Sequence, residues 1–146
     1  MHTLDAFQSM GVKIEELKNK IIIHGRGLNS LQKPNKEIQL GNSGTSARLL
    51  TGLLSAQKFN TTLLGDKSLS LRPMKRITDP LTLMNAKIET SNGCLPIKIY
   101  GRELQNIEIK IDIPSAQIKS SVLIASLNSP GLTTIIENLS LIHISE

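Results

Sequence analysis

Met10-Gly11-Val12-Lys13-Ile14-Glu15 recurs as Met84-Asn85-Ala86-Lys87-Ile88-Glu89, 74 residues later, and the echo continues downstream. His24-Gly25-Arg26 answers to Tyr100-Gly101-Arg102 at a spacing of 76, and the segment carrying Arg48 answers to the one carrying Lys119 at 71. This period is too long for a solenoid, whose units run about 20–50 residues and stack in a line. The chain is therefore expected to form two similar compact units, at about residues 1–57 and 73–127, each with strands packed on helices. Met10 and Met84 hold equivalent places, which assigns them to core packing.

The local patterns fill in these units. Leu4, Phe7 and Met10 stand three apart before Gly11, as in the last turns of a helix closed by glycine. Val12 to Glu15 and Lys20 to His24 alternate around Asn19, a hairpin signal. Glu37 to Leu40 reads as a short strand ending at Gly41, Thr45 to Gln57 as a helix with Leu49, Leu50, Leu53 and Leu54 on its apolar side, and Phe59 to Leu64 as a strand. Pro73 suits a first helical turn, Ile77, Leu81 and Met84 continue at helical spacing, and Pro80 is expected to kink or interrupt that helix. Lys87 to Glu89, Leu95 to Tyr100 and Ile107 to Ile113 are strand-like. Pro114 opens a final helix through Leu127, and Leu132 to Glu137 is a strand after Pro130-Gly131. The alternation gives an α/β fold.

Composition narrows the function. A length of 146 residues with 39% apolar and 20% charged side chains suits one globular domain, and excludes a disordered tail or a coiled-coil rod. The most apolar run, Ser121 to Leu127, is far short of a bilayer span, and no basic flank with an apolar stretch opens the chain, so no membrane partner and a cytoplasmic location are expected. Cys94 is the single cysteine, which leaves no internal disulfide and no cysteine-based metal cluster. The net charge of +5 fits nucleic acid, a membrane surface or a small anion. With two Phe, one Tyr and no Trp, the chain lacks the stacking side chains of single-strand and RNA binders, so nucleic acid is disfavoured and a small phosphorylated ligand favoured.

Three segments have the chemistry to hold such a ligand. Leu40-Gly41-Asn42-Ser43-Gly44-Thr45-Ser46-Ala47-Arg48 puts a glycine-rich turn between a strand and a helix. The free N–H groups of a first helical turn favour an anion, Gly44 allows close approach to the backbone, Asn42 or Thr45 is suited to cap the helix, and Arg48 lies one turn on. It is not a P-loop, since no Gly-Lys-Ser/Thr closes it. Gly65-Asp66-Lys67-Ser68-Leu69-Ser70-Leu71-Arg72-Pro73-Met74-Lys75-Arg76 concentrates basic residues at a helix start, with Pro73 fixing the backbone beside Arg72, whose guanidinium is shaped for phosphate or carboxylate. Pro114-Ser115-Ala116-Gln117-Ile118-Lys119-Ser120 opens a helix in the place equivalent to the first motif, with Ser115 and Gln117 offering a hydroxyl and an amide. A capped helix with surface cations is the plainer reading of each segment taken alone. His24 and His143 have no carboxylate or histidine partner at metal-ligand spacing, and a cap or turn suffices for Asp5 and Asp79.

In order and spacing, these three motifs with Asn85-Ala86-Lys87-Ile88 between them closely resemble the 5-enolpyruvylshikimate-3-phosphate synthases, over nearly the whole chain. That resemblance implies transfer of enolpyruvyl from phosphoenolpyruvate to the 5-hydroxyl of shikimate 3-phosphate with release of phosphate, and no organic cofactor. It implies a lobe of repeated β/α subdomains, inverse α/β barrel-like, facing a second lobe across the active site. It also implies a partial lobe: the family's first strands, with a lysine, a serine and an arginine used for both substrates, precede the segment matching Met1, and the second lobe supplies the acid/base groups. Carried over by position, Gly44, Arg72 and Gln117 bind phosphoenolpyruvate, Asn42, Thr45 and Arg48 shape that pocket, and Ser115, Gln117 and Ser140 bind shikimate 3-phosphate. Around Ser140 the family reads Ser-Arg-Asp-His-Thr-Glu, whereas this chain has Ser140-Leu141-Ile142-His143-Ile144-Ser145-Glu146.

Two other readings compete. One is the sister transferase that places enolpyruvyl on UDP-N-acetylglucosamine. The other is a non-enzymatic anion-binding module, which fits a binding half without acid/base groups.

Overall fold

The computed structural model describes residues 2–137, and the succession of elements in it runs through the same order twice. The first pass is α1 (His2–Ser9), β1 (Lys13–Leu17), β2 (Lys20–His24), β3 (Ile38–Gln39), α2 (Gly44–Ser55) and β4 (Asn60–Leu64). After a 3-10 turn at Leu69–Leu71 come α3 (Lys75–Leu83), β5 (Lys87–Ser91), β6 (Cys94–Tyr100), β7 (Glu108–Ile111), α4 (Ala116–Ser126) and β8 (Thr134–Glu137). Pairing follows the same rule in each pass: β1–β2 and β5–β6 are antiparallel, β3–β4 and β7–β8 parallel.

The two passes interlock. β4 pairs antiparallel with β6, so a four-stranded sheet of order β3-β4-β6-β5 takes two strands from each pass. On β6, Leu95, Ile97 and Ile99 face inward while Pro96 and Lys98 face solvent, the period-two alternation of a sheet with one wet face. One core gathers Met10, Leu40, Leu54, Leu63, Leu69 and Met74 with those β6 side chains; a second gathers Ile77, Leu81, Met84, Leu104, Ile111 and Val122. Met10 and Met84 are both fully buried, as their equivalent places require.

Helices α2 and α4 follow the first and third sequence motifs, and their crossing is close because of Gly52. A Cβ at Gly52 would run into the backbone carbonyl oxygen of Ser121, while the Ser121 hydroxyl donates to the Arg48 carbonyl at 2.9 Å. The buried hydroxyls of Thr51 and Ser55 donate to carbonyls one turn back, Ala47 and Thr51, at 2.6 Å each. The helix thus buries polar groups without orphaning them.

Several expectations need correction. Pro73 precedes α3 rather than opening it, and Pro80 lies inside the helix without interrupting it. Pro80 forfeits one hydrogen bond, to the Arg76 carbonyl, but its ring is buried and the helix ends three residues later. Pro114 likewise stands before α4, whose cap is Ser115, its oxygen accepting from Ile118 N–H at 3.3 Å. His24 does have a carboxylate partner: across the hairpin its Nε2 lies 2.7 Å from Glu15 Oε1, and Lys13 and His24 together draw the Glu15 carboxyl below its ordinary value. Alternation along each strand predicts faces, not which side chains meet diagonally across the turn.

Candidate functional site

The first motif folds as a tight turn with a specific backbone demand. Gly41 adopts φ +56, where glycine is at ease, and Ser43 N–H closes the turn on the Leu40 carbonyl at 3.1 Å. The helix cap is Ser43, whose oxygen accepts from Ser46 N–H at 3.3 Å, not Asn42 or Thr45. Those two side chains are thereby released for tertiary contacts. Asn42 Oδ1 accepts from Arg72 Nη2 at 2.5 Å, and Thr45 Oγ1 accepts from Gln117 Nε2 at 3.0 Å.

Arg72 is delivered by a loop pinned at both ends. Asp66 N–H donates to the Gly41 carbonyl at 2.8 Å, and Asp66 Oδ1 accepts from Leu69 N–H at 2.8 Å, starting the 3-10 turn. Leu69 is fully buried and packs against Gly65, where a Cβ would lie 2.6 Å from its Cδ2. Beyond the turn, Arg72 takes φ −81, ψ 128, the extended geometry required before proline, and Met74 N–H donates to the Gly93 carbonyl at 2.8 Å.

Gly44 sits buried where the two arginines converge. A methyl group there would lie 2.8 Å from Arg48 Nη1 and 2.9 Å from Arg72 Nη1. The guanidinium of Arg48 is pushed below its ordinary value, chiefly by burial and secondarily by the neighbouring charge of Arg72. Two cations held against each other over the bare backbone of a helix start have the chemistry of an anion seat, because an anion relieves their repulsion and is met by forked donors.

Arg48 also links this seat to the third motif. A cleft of about 630 Å³ is lined by Arg48, Pro73, Lys75, Arg76, Asp79, Ser115, Gln117 and Ile118. The structure thus brings Asn42, Gly44, Thr45, Arg48, Arg72, Ser115 and Gln117 into one continuous surface at the starts of α2 and α4. Ser140 lies outside the described residues. By sequence Lys75 belongs to the basic segment around Arg72 without a role of its own, and Asp79 is read as a cap or turn residue; both line this cleft. Among the described residues no three His, Cys, Asp or Glu side chains group as metal ligands, and no helix is long and apolar enough to cross a membrane.

Comparison with known proteins bears out the resemblance drawn from the motifs. The family model described as EPSP synthase (3-phosphoshikimate 1-carboxyvinyltransferase) matches residues 1–146. A 3-phosphoshikimate 1-carboxyvinyltransferase of Ruthia magnifica subsp. Calyptogena magnifica is 53% identical over 138 residues, covering 94% of this chain and 32% of that protein. One from Oceanobacillus iheyensis is 47% identical over 139 residues, with the same coverage. The solved EPSP synthase of Acinetobacter baumannii superposes with a TM-score of 0.91 at 47% identity, over 94% of this chain and 32% of its own. The α/β fold is therefore the one these synthases have over this region, and the chain spans about a third of the length of the curated relatives it matches.

Proposed function

This chain belongs to the EPSP synthase family, and on that premise we propose that it forms the substrate-binding part of an enzyme transferring enolpyruvyl from phosphoenolpyruvate to the 5-hydroxyl of shikimate 3-phosphate. The observation carrying this reading is the convergence of Arg48 and Arg72 over Gly44. Phosphoenolpyruvate bears both a phosphate and a carboxylate, and it must be brought beside a second phosphorylated molecule. Preorganised guanidinium groups offset that repulsion and hold the reacting carbon still.

In this proposal Gly44 and Arg72 hold phosphoenolpyruvate, with Asn42 fixing the Arg72 fork and Arg48 closing the pocket. Ser115 and Gln117 hold shikimate 3-phosphate, and the Gln117–Thr45 hydrogen bond keeps the two seats in register. Ser140 is retained as a further contact to shikimate 3-phosphate. C3 of phosphoenolpyruvate takes a proton as the oxygen of the 5-hydroxyl bonds to C2 and gives up its own proton to a base outside these residues; loss of a proton from C3 then restores the double bond as the C2–O bond to phosphate breaks. The acid/base groups come from the remainder of the longer protein, and the setting is cytoplasmic, where both charged substrates are retained.

Arg72→Lys in the full-length protein tests the reading. A point charge cannot reproduce the planar fork, so the KM for phosphoenolpyruvate is expected to rise by about ten- to a hundredfold, the worth of one charge-assisted hydrogen bond. Kinetics indistinguishable from the parent would return Arg72 to a solvated basic surface.

A further inference from the structure

The cleft between α3 and α4 contains a cation to which the function proposed above gives no task. Arg76, in the first turn of α3, lines that cleft with Arg48, Ser115 and Gln117. The internal repeat indicates what its position does. Seventy-four residues earlier stands His2, in the first turn of α1, and its imidazole lies over the turn leading into α2, where a Cβ on Gly41 would strike it. The corresponding turn before α4 contains Asp112, and Arg76 lines a hollow with Asp112 as well as the cleft with Ser115. Arg76 thus lines both hollows that adjoin the start of α4, and His2 lies against the turn that leads into α2.

Two carboxylates line the same hollow, Asp79 one turn along α3 and Asp112 in the turn before α4. Neither forms an ion pair with Arg76 among the described residues, so the guanidinium keeps its donors for a ligand. The seat over Gly44 is served by Arg48 and Arg72, whereas Arg76 is not among the groups nearest Gly44 and lines the cleft with Ser115, the cap of α4.

We infer that Arg76 is a further substrate-binding residue, its guanidinium contacting the phosphate of the molecule seated at Ser115 and Gln117. The inference rests on the proposed function, and names the residue that recognises the second substrate's anionic group. A planar fork suits phosphate oxygens, and Lys75 beside it adds charge to the same wall.

The test uses the full-length protein with steady-state kinetics, calorimetric titration of shikimate 3-phosphate and thermal melting. Arg76→Ala is expected to raise the KM and Kd for shikimate 3-phosphate about ten- to a hundredfold, with the KM for phosphoenolpyruvate changed less than about twofold and the melting temperature preserved. Arg76→Lys should recover part of the loss, and Asp112→Ala should leave shikimate 3-phosphate binding at the parent level. Parent-like binding by Arg76→Ala overturns the inference, and so does an equal loss in Asp112→Ala, which would make Arg76 a structural partner of that carboxylate. A parent protein that fails to bind shikimate 3-phosphate overturns the proposed function as well, whereas a binding parent with an indifferent Arg76 overturns this inference alone.

Discussion

Gly44→Ala in the full-length protein is expected to raise the KM for phosphoenolpyruvate by about tenfold or more, through overpacking of one methyl group, and to leave the KM for shikimate 3-phosphate near the parent value. The methyl would arrive 2.8 and 2.9 Å from the two guanidinium groups, inside the space the anion is proposed to use. It would remain clear of Ser115 and Gln117 on the other helix. The glycine is not there for backbone freedom: the positive φ of this turn belongs to Gly41, and Gly44 is the first residue of α2. Alanine is a better helix former than glycine by up to about 1 kcal/mol, so the melting temperature should hold or rise while phosphoenolpyruvate use falls. Steady-state kinetics with each substrate varied, beside a thermal melt, separates the outcomes. Equal rises in both constants with a lower melting temperature would make Gly44 a structural glycine.

The same substitution eight residues on should give the opposite pattern. Gly52→Ala places a methyl on the Ser121 carbonyl oxygen, part of the α4 backbone, which cannot retreat without moving the helix. Overpacking of this kind costs about 1–3 kcal/mol, so denaturant or thermal unfolding should show a loss of that order. Because the crossing also sets the Gln117–Thr45 hydrogen bond, use of both substrates should fall together. An unchanged stability would mean that α2 and α4 have room that the Gly52–Ser121 contact denies.

Much of this architecture was legible in the chain because the two passes of the repeat reinforce each other. Met10 and Met84 at equivalent spacings fall one in each core, and of the expected apolar side of α2 Leu50 and Leu54 are buried while Leu49 and Leu53 are half-buried, the small and hydroxylated Ala47, Thr51, Gly52 and Ser55 completing the buried face. What escaped depended on contacts between distant segments. Asn42, Ser43 and Thr45 are all chemically fit to cap a helix, and Ser43 takes that place while Arg72 and Gln117, 30 and 72 residues away from their partners, engage the other two. Pro80 reads locally as a break, and burial of its ring overrides that preference. The 3-10 turn that presents Arg72 depends on Asp66 and on Leu69 filling the space over Gly65, neither of which leaves a periodic pattern. Asp79 reads locally as a cap or turn residue, and its place in the cleft wall depends on Ser115 and Gln117, distant in the chain.

The most direct test of the account is phosphate release from phosphoenolpyruvate by the full-length protein, assayed with shikimate 3-phosphate, with UDP-N-acetylglucosamine and with no acceptor. Steady release is expected with shikimate 3-phosphate alone, and its loss when Arg72 and Arg48 are both replaced by alanine. Release driven by the nucleotide sugar, or release unaffected by the loss of both arginines, would contradict it.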